Sequence, residues 1–432
     1  MVGLKRRTLA LHWQILIAIA AAAALGLWLR AQGGEVATAA LAVFEFGGRI
    51  FLGALKMLIV PLIASSMIVG VAGLGAHGQL GRIGLRTFGL YAVSGLAAIL
   101  VGLTLVNLVR PGIHDGVPAK DLLALKSDGA EVMRAVGERD ASDIVAVLVR
   151  MIPENVVASA ADNGDVLALI VFSLLFGWFM TRISEEHARP LLGFWRGVSE
   201  VMMLMTEWVM KFAPLGVFCL VAKVVAKTGF GAALPLVIFS ACVVTGLAIH
   251  MFLTMPLLIR LTTGINPWRV FPAMAPALLT AFSTASSSAT VPMTLECAEK
   301  RARVSNRVAS FVIPLGATVN MNGTALYECA AVLFLAQAYG VELGLVAQFT
   351  VVALALLTSV GVAGIPAASL VAITVIMSSL GLPQEGVAVL LVFDRLLDMC
   401  RTTVNVHGDA CTAIIVARLE GERHVLEPVR DG

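Results

Sequence analysis

Apolar stretches of about 20 residues, each long enough for one helix to cross the hydrocarbon layer of a membrane, recur along this chain. Inside that layer every backbone polar group needs a partner within the protein, which favours helices. Hydrophobic residues make up 59% of the 432 residues and charged residues only 14%, whereas about a quarter of a soluble domain is charged. The sequence therefore predicts an all-α polytopic membrane protein.

The apolar stretches fall into two kinds. Uninterrupted stretches cover residues 11–30, 45–75, 86–109, 164–181, 198–226 and 232–261. Stretches interrupted by polar, acidic, glycine and proline residues cover 270–300, 308–338, 345–381 and 385–418. Irregular backbone at membrane depth is tolerated where it lines a cavity in the protein, so we expect the functional site in this last third.

Charges in the loops predict how the spans are oriented. Basic residues follow the even-numbered spans at Arg82, Arg86, Arg182, His187, Arg189, Arg196, Arg260 and Arg269. Short loops rich in Lys and Arg stay in the cytoplasm, so both termini are predicted to be cytoplasmic, and the mixed-charge residues 110–162 fit an external excursion. The net charge of +3 does not indicate a nucleic-acid partner, and the six cysteines contain no CxxC pair that would indicate zinc.

The most unusual segment is a charged stripe on the last apolar stretch. At about 100° per residue, six polar residues fall within an arc of about 100° on one helix face. They are Asp394, Asp398, Arg401, Thr402, Asn405 and Asp409. Three carboxylates and one arginine in a membrane call for cations, and the guanidinium can bind a carboxylate through two hydrogen bonds. A structural salt-bridge stripe between helices is the alternative.

A second polar segment, residues 314–324, places Gly316, Asn320, Asn322 and Gly323 in an otherwise apolar stretch. These residues favour an unwound turn, whose free backbone carbonyl groups are ligands suited to Na⁺. Asparagines that join neighbouring helices by hydrogen bonds are an equally good interpretation of this segment alone.

Two further segments predict re-entrant hairpins. At 286–288, three serines lie between apolar arms that are too short for two full crossings, and hydroxyl and N–H groups at such a tip can bind a carboxylate. At 359–368, glycines and a proline interrupt an apolar stretch and indicate a flexible tip that can act as a gate. The alternatives are serines that help helices to pack and a plain kinked helix.

These four segments, in this order, resemble the glutamate transporter family of dicarboxylate/amino acid:cation symporters, in its bacterial type. Residues 55–62, Leu-Lys-Met-Leu-Ile-Val-Pro-Leu, are similar to that family's second-helix signature, and the resemblance covers nearly the whole chain. It implies eight transmembrane helices plus two re-entrant helical hairpins, inverted repeats and an elevator-type mechanism. It also implies a homotrimer in the lipid bilayer, in the bacterial inner membrane.

The resemblance further implies a static scaffold and a moving transport domain. The scaffold would take helices 1 and 2 at residues 1–80, and an external loop with helices 4 and 5 at 113–228. The transport domain would take helix 3 at 81–112, helix 6 at 229–266, and a core of hairpin 1, helix 7, hairpin 2 and helix 8 at 267–420. Residues 421–432 would form a cytoplasmic tail.

Carried over position by position, the resemblance implies a substrate site and two sodium sites. The substrate α-carboxylate would be held by Ser287, Ser288 and Asn405, its α-amino group by Asp398 and Thr402, and its side-chain carboxylate by Arg401 and Thr324. Ile365 and Ser369 would lie in the gating second hairpin. The first sodium site would use Gly316, Asn320, Asn405 and Asp409, and the second Thr318, Met321, Ser359, Val360 and Val362.

Two charges discriminate among the substrates that the resemblance allows. Arg401 fits an acidic side chain, and neutral amino acid members typically lack this arginine. Asp398 fits an ammonium group, and dicarboxylate members typically lack this acid. Because both are present, we expect uptake of glutamate or aspartate coupled to Na⁺ and/or H⁺, with no other cofactor. A C4-dicarboxylate or a neutral amino acid is the alternative substrate.

The chain also departs from the family pattern. Asn322 stands where much of the family has aspartate, and Ser94 and Gly95 stand where it usually has two hydroxyl residues. Both changes weaken a third sodium site, so we expect fewer coupled sodium ions or a proton in place of one. The family usually has an arginine at the first hairpin tip or beside the final-helix acid, and these places hold Ala285 and Met399.

Two other classes of function compete with transport. Paired membrane aspartates occur in intramembrane aspartyl proteases, where two carboxylates share acid–base work. Residues 406–409, Val-His-Gly-Asp, lack the Gly-x-Gly-Asp pattern of that class, so we do not expect an enzyme. A passive channel is the second competitor, and it is distinguished by its inability to accumulate solute against a gradient.

Overall fold

The computed structural model describes residues 11–75, 82–123, 125, 152, 154–161, 166–229, 233–359 and 368–427, which are almost entirely helical. The first half contains α1 (Leu11–Gln32), α2 (Gly34–Gly75), α3 (Arg82–Val109), α4 (Val156–Ala161), α5 (Val166–Met180), α6 (Glu185–Met210) and α7 (Ala213–Thr228). A short antiparallel pair of strands, β1 (Ile113–His114) and β2 (Val117–Pro118), follows α3.

The second half contains more helices, and several of them are short. They are α8 (Ala233–Ile249), α9 (Met255–Thr263), α10 (Val270–Thr284), α11 (Ser287–Glu296), α12 (Asn306–Val319), α13 (Asn322–Ala338), α14 (Leu345–Ser359), α15 (Ala368–Ser379) and α16 (Val387–Leu419). A π-helical turn, His250–Thr254, joins α8 to α9, and a second, Cys297–Arg301, follows α11.

Three helical stretches among the described residues are long and apolar enough to cross a membrane: Trp13–Gln32, Arg82–Val109 and Leu234–Thr263. A fourth crossing results if Glu185–Met210 and Ala213–Lys227 form one span, although they are bent by 51°. The expectation of one uninterrupted span at 198–226 is therefore corrected. Pro214, in the first turn of α7, lacks an N–H group and clashes with a preceding helical turn, which favours a new helix start there.

The predicted helix interruptions occur where the polar segments lie. Between α12 and α13, Asn320 and Met321 leave helical geometry, with φ/ψ of −110°/80° and −107°/62°. Between α10 and α11, Ala285 adopts a left-handed conformation with φ of 50°, and Ser286 is extended. Between α14 and α15, the tip lies outside the described residues, and with it Val360, Val362 and Ile365.

The helices pack into two groups. Helices α1, α2, α5, α6 and α7 pack against one another, whereas α3, α8, α10, α11, α12, α14 and α15 surround α13 and α16. Nearly every residue of α13 is buried, and its apolar side chains point in all directions, as expected of a helix at the centre of a bundle. The two groups meet where α16 contacts α1 and α7, and where α12 contacts α2.

The chain end beyond α16 is fastened to the second group. The Glu420 carboxylate accepts two hydrogen bonds of 3.0 Å from Arg82 and one of 2.7 Å from Arg86. Further along, the Leu426 backbone N–H donates to the Ala302 carbonyl at 2.9 Å, and the Leu426 side chain is buried. The part of the predicted tail that the structure describes therefore packs against the helices.

Replacing Glu420 with glutamine should destabilise the protein in a pH-dependent way. The hydrogen bond from Arg82 holds the pKa of Glu420 below its ordinary value of 4.5, so the stabilisation is present at neutral pH and is lost as pH falls below 4.5. We expect Glu420→Gln to lose about 1 kcal/mol at pH 7.5, because the arginines are partly solvated. The difference from the native protein should shrink towards zero on acidification.

Thermal unfolding of the detergent-solubilised protein at pH 7.5 and pH 4 measures this difference. Glu185→Gln is the matched control, since the ion pair of Glu185 with Arg189 is exposed on both sides. Equal shifts for the two variants at pH 7.5 would show that Glu420 has no special role.

Candidate substrate and cation site

The charged stripe lies on one helix, α16, and all six of its residues are buried. Arg401 has no solvent exposure, and its Nη2 donates to Asp394 Oδ1 at 3.0 Å and to Asp398 Oδ1 at 2.9 Å. Its guanidinium carbon also lies 3.9 Å from the ring centroid of Tyr327 on α13. Two carboxylates and an aromatic face thus stabilise this buried cation.

Polar atoms with no partner remain around Arg401. Among the described residues, Arg401 Nε and Nη1 and Asp398 Oδ2 are buried and make no hydrogen bond. A buried donor or acceptor without a partner is unfavourable, so such atoms mark a place where a polar ligand would improve the structure. Free guanidinium donors suit an anionic group, and a free carboxylate oxygen suits an ammonium group.

The break between α12 and α13 is tied to α16 by asparagine side chains. Asn405 Oδ1 accepts from the Gly323 backbone N–H at 2.8 Å, and Asn405 Nδ2 donates to Thr324 Oγ1 at 3.1 Å. One turn further along α16, Asp409 Oδ1 accepts from Asn320 Nδ2 at 2.9 Å. The structure therefore brings together residues that the sequence predicted for the substrate and for the first sodium site.

Gly316 completes the same cluster by leaving room for Asp409. A Cβ atom at position 316 would lie 2.3 Å from Asp409 Oδ1 and 2.7 Å from the Tyr91 hydroxyl, so only glycine permits this approach. Asn320 Oδ1 is buried and has no hydrogen-bond partner among the described residues. A carboxylate, a free amide oxygen and carbonyl groups at an unwound turn form a donor set that fits a hard cation such as Na⁺.

The first hairpin supplies a serine-rich helix start. Ser286 Oγ accepts from the Ala289 backbone N–H at 3.3 Å, and Thr290 Oγ1 donates to the Ser286 carbonyl at 2.8 Å. Ser287 is buried and Ser288 is half-buried at the N-terminus of α11, which packs against α16. Within the described part of the chain, no hydrogen bond joins Ser287 or Ser288 to α16.

The residues predicted for the second sodium site are described only in part. Thr318 Oγ1 donates to the Leu315 carbonyl and Ser359 Oγ to the Leu356 carbonyl, each at 2.9 Å, so both hydroxyls are used within their own helices. Met321 is buried at the helix break. A cation here would depend on backbone carbonyl groups.

The position of the third predicted sodium site lies between α3 and α13. A Cβ atom at Gly95 would be 3.5 Å from Asn322 Oδ1, so these two residues face each other. Asn322 is buried and its Nδ2 makes no hydrogen bond to a described residue, while Ser94 Oγ donates to the Tyr91 carbonyl at 3.2 Å. The uncharged side chain of Asn322 attracts a cation more weakly than a carboxylate would at this position.

The structure adds charged residues that the sequence analysis missed. Glu328, one turn beyond Thr324 on α13, is fully buried, and its Oε2 accepts from Thr358 Oγ1 at 2.7 Å. The sequence signal that could have identified Glu328 is its position as a single acidic residue in an apolar helix. The expectation that Arg401 is the single arginine of the charged stripe is also corrected. A second arginine, Arg395, reaches it, and its Nη1 lies 3.8 Å from Asp398 Oδ2. Arg395 is about 100° away from Asp394 on the helical wheel, but its side chain is long enough to reach this face.

Interrupted helices that gather buried carboxylates and a buried arginine are typical of a cation-coupled secondary transporter. The chain belongs to the sodium:dicarboxylate symporter family, whose model matches residues 11–419. This is a family of transporters, not of enzymes, so the protease interpretation is excluded.

Three relatives show how far the similarity extends. The chain is 34% identical to the proton/glutamate-aspartate symporter of Escherichia coli (strain K12), over 96% of this chain and 94% of that protein. It is 36% identical to the proton/sodium-glutamate symport protein of Bacillus subtilis (strain 168), over 87% of this chain and 85% of the relative. It is 34% identical to excitatory amino acid transporter 3 of Mus musculus, over 96% of this chain and 87% of the mouse protein.

Adding a methyl group at Gly316 should disrupt the predicted first cation site, because it displaces the Asp409 carboxylate. Because the Cβ atom would overlap Asp409, we expect Gly316→Ala to weaken the apparent Na⁺ affinity by about tenfold or more. The measurement is the Na⁺ concentration that gives half-maximal thermal stabilisation of the purified protein.

Gly89→Ala on α3 is the control, since a Cβ atom there meets nothing within 4 Å. If Gly316→Ala keeps the native Na⁺ midpoint, Asp409 and Gly316 are not part of a cation site.

Proposed function

We propose that this protein is a secondary active symporter that takes up an acidic amino acid, glutamate or aspartate, coupled to Na⁺ and/or H⁺. The observation that carries the proposal is the pair of buried side chains Arg401 and Asp398 on one face of α16, each with polar atoms that have no partner among the described residues. The names of the relatives, which are glutamate and aspartate symporters, support the same substrate class.

The charges of the site match the three charged groups of an acidic amino acid. In this proposal Arg401, with Thr324, binds the side-chain carboxylate, and Asp398, with Thr402, binds the ammonium group. The serines Ser287 and Ser288 at the first hairpin tip and Asn405 bind the α-carboxylate. A C4-dicarboxylate has no ammonium group for Asp398, and a neutral amino acid leaves the buried Arg401 without an anion.

Cation binding completes the site. One sodium ion would be bound by Asp409, Asn320 and Gly316 together with the carbonyl group of Asn405. A second sodium ion would be bound by Thr318, Met321 and Ser359 together with Val360 and Val362. The ions supply positive charge next to an anionic substrate, so binding of substrate and of ions is mutually favourable. This coupling is what allows an ion gradient to drive accumulation of the substrate.

Movement of the site is proposed to follow the two packing groups. The group of α1, α2, α5, α6 and α7 would form a static scaffold in a homotrimer, and the second group would move as the transport domain. The contacts of α16 with α1 and α7, and of α12 with α2, would belong to the sliding interface. The second hairpin, with Ile365 and Ser369, would gate the site, and both chain ends would face the cytoplasm of a bacterial inner membrane.

Proteoliposomes test the function directly. We expect labelled aspartate or glutamate to accumulate above equilibrium when an inward Na⁺ gradient or an inward H⁺ gradient is imposed, each varied independently of the other. Equilibration without accumulation would instead identify a passive pathway. A Hill coefficient for Na⁺ well below that of relatives with aspartate at the position of Asn322 would support the weakened third site.

The role of Arg401 predicts a change of substrate. Arg401→Cys should lower the apparent affinity for aspartate by about 100-fold, because a desolvated charge-assisted pair is lost, and it should raise the relative uptake of small neutral amino acids. Asp394 and Asp398 then lose their shared partner, so the amount of folded protein is measured by size-exclusion chromatography beside uptake. Native aspartate affinity in Arg401→Cys would refute this role.

In this proposal Glu328 is the residue that binds the coupled proton. Its buried Oε1 has no hydrogen-bond partner in the described structure, and the bond from Thr358 reaches only Oε2, so the group can accept a proton without losing that bond. We expect Glu328→Gln, which imitates the protonated form, to abolish acceleration of uptake by an H⁺ gradient while Na⁺-driven uptake remains. Glu296→Gln is the control, since Glu296 forms an exposed ion pair with Lys300. Unchanged pH dependence in Glu328→Gln would assign the proton to another group.

A further inference from the structure

A second arginine, Arg395, approaches the oxygen of Asp398 that Arg401 does not bind. The two oxygens of Asp398 differ: Oδ1 accepts from Arg401 at 2.9 Å, whereas Oδ2 makes no hydrogen bond to a described residue. The guanidinium of Arg395 approaches this oxygen, and its Nη1 lies 3.8 Å from Oδ2. Arg395 Nη1 and Nε are themselves buried without hydrogen-bond partners in the described structure, so donors and acceptor face each other at a distance slightly too long for a hydrogen bond.

Among the described residues that line its surroundings, Asp394 and Asp398 are the acids near Arg395. This arginine lies in a small cavity between α16 and the first packing group. The opposite wall is uncharged and consists of Ile15, Phe51, Met210, Ala213 and Val217. From α13, Tyr327 covers the other side of Arg401, and Glu328 bonds to Thr358 on α14.

The charges of this group of four cancel. Asp394 and Asp398 carry two negative charges, and Arg401 and Arg395 carry two positive ones. Without Arg395 the substrate-free site would hold one uncompensated carboxylate in a buried place, which is costly at membrane depth. With a substrate ammonium group at Asp398, that carboxylate has a second source of positive charge and no longer needs Arg395.

We propose that Arg395 is the counter-ion of Asp398 in the substrate-free protein and that the substrate's ammonium group displaces it. Arg395 is thus a positioning residue that keeps the empty site electrically balanced while the empty carrier returns to face the outside. Its long flexible side chain can approach Oδ2 of Asp398 or withdraw into the cavity. In the structure Nη1 of Arg395 lies 3.8 Å from this oxygen. This inference rests on the proposed function, because it requires a carrier that returns empty.

Net uptake and exchange separate the empty return from the loaded crossing. Net uptake into liposomes without internal substrate requires the return of the empty carrier, whereas exchange of labelled external aspartate for unlabelled internal aspartate does not. We expect Arg395→Gln to slow net uptake by about tenfold or more and to leave exchange within about twofold of the native rate. Arg395→Lys keeps the charge and should restore net uptake to within about threefold.

Arg189→Gln is the control variant for Arg395→Gln. Arg189→Gln removes an arginine from an exposed ion pair and should leave both rates unchanged. If Arg395→Gln lowers both rates equally, or neither, Arg395 does not act on the empty carrier and the inference is overturned. If the native protein shows exchange but no gradient-driven accumulation, the proposed coupled uptake is wrong, whatever the variants do.

Discussion

The burial of Arg401 is the constraint on which the rest of the site depends. A guanidinium with no solvent exposure needs its charge balanced, and Asp394 and Asp398 provide the balance from the preceding two turns of the same helix. Because both acids accept from Nη2 and the Tyr327 ring lies against the guanidinium, the remaining donors, Nε and Nη1, have a fixed direction. This pre-organisation reduces the ordering that a carboxylate ligand requires on binding.

The same helix organises the cation side. Asn405 and Asp409 continue the stripe by two further turns and bind the break between α12 and α13 through Gly323 and Asn320. A helix break inside a buried bundle would leave backbone groups without partners, and Asn405 satisfies one of them, the N–H group of Gly323. The residues proposed for substrate and for cation therefore lie on one helix, so that in the proposed function occupation of one site would favour the other.

The proposed charge balance also concerns the positions at which this chain departs from the family pattern. Ala285 and Met399 lack the arginine that the resemblance leads one to expect, yet a basic side chain still reaches Asp398, from position 395. Asn322 lacks the usual carboxylate, whereas Glu328 supplies a buried acid on the same helix. At Asp398 the missing arginine is thus accompanied by a charge of the same sign, 3.8 Å from its Oδ2.

The sequence by itself determined the membrane class, three of the six uninterrupted spans, the buried stripe on α16 and the break at Asn320, because hydrophobicity and helical periodicity are local properties. The tertiary structure decided which groups meet. The bond between Asn320 and Asp409 joins residues 89 positions apart, and that between Glu328 and Thr358 joins residues 30 apart, so no local pattern reveals them. A helical wheel gives the direction of Cβ and not the reach of a side chain, so only the folded structure places Arg395 beside Asp398.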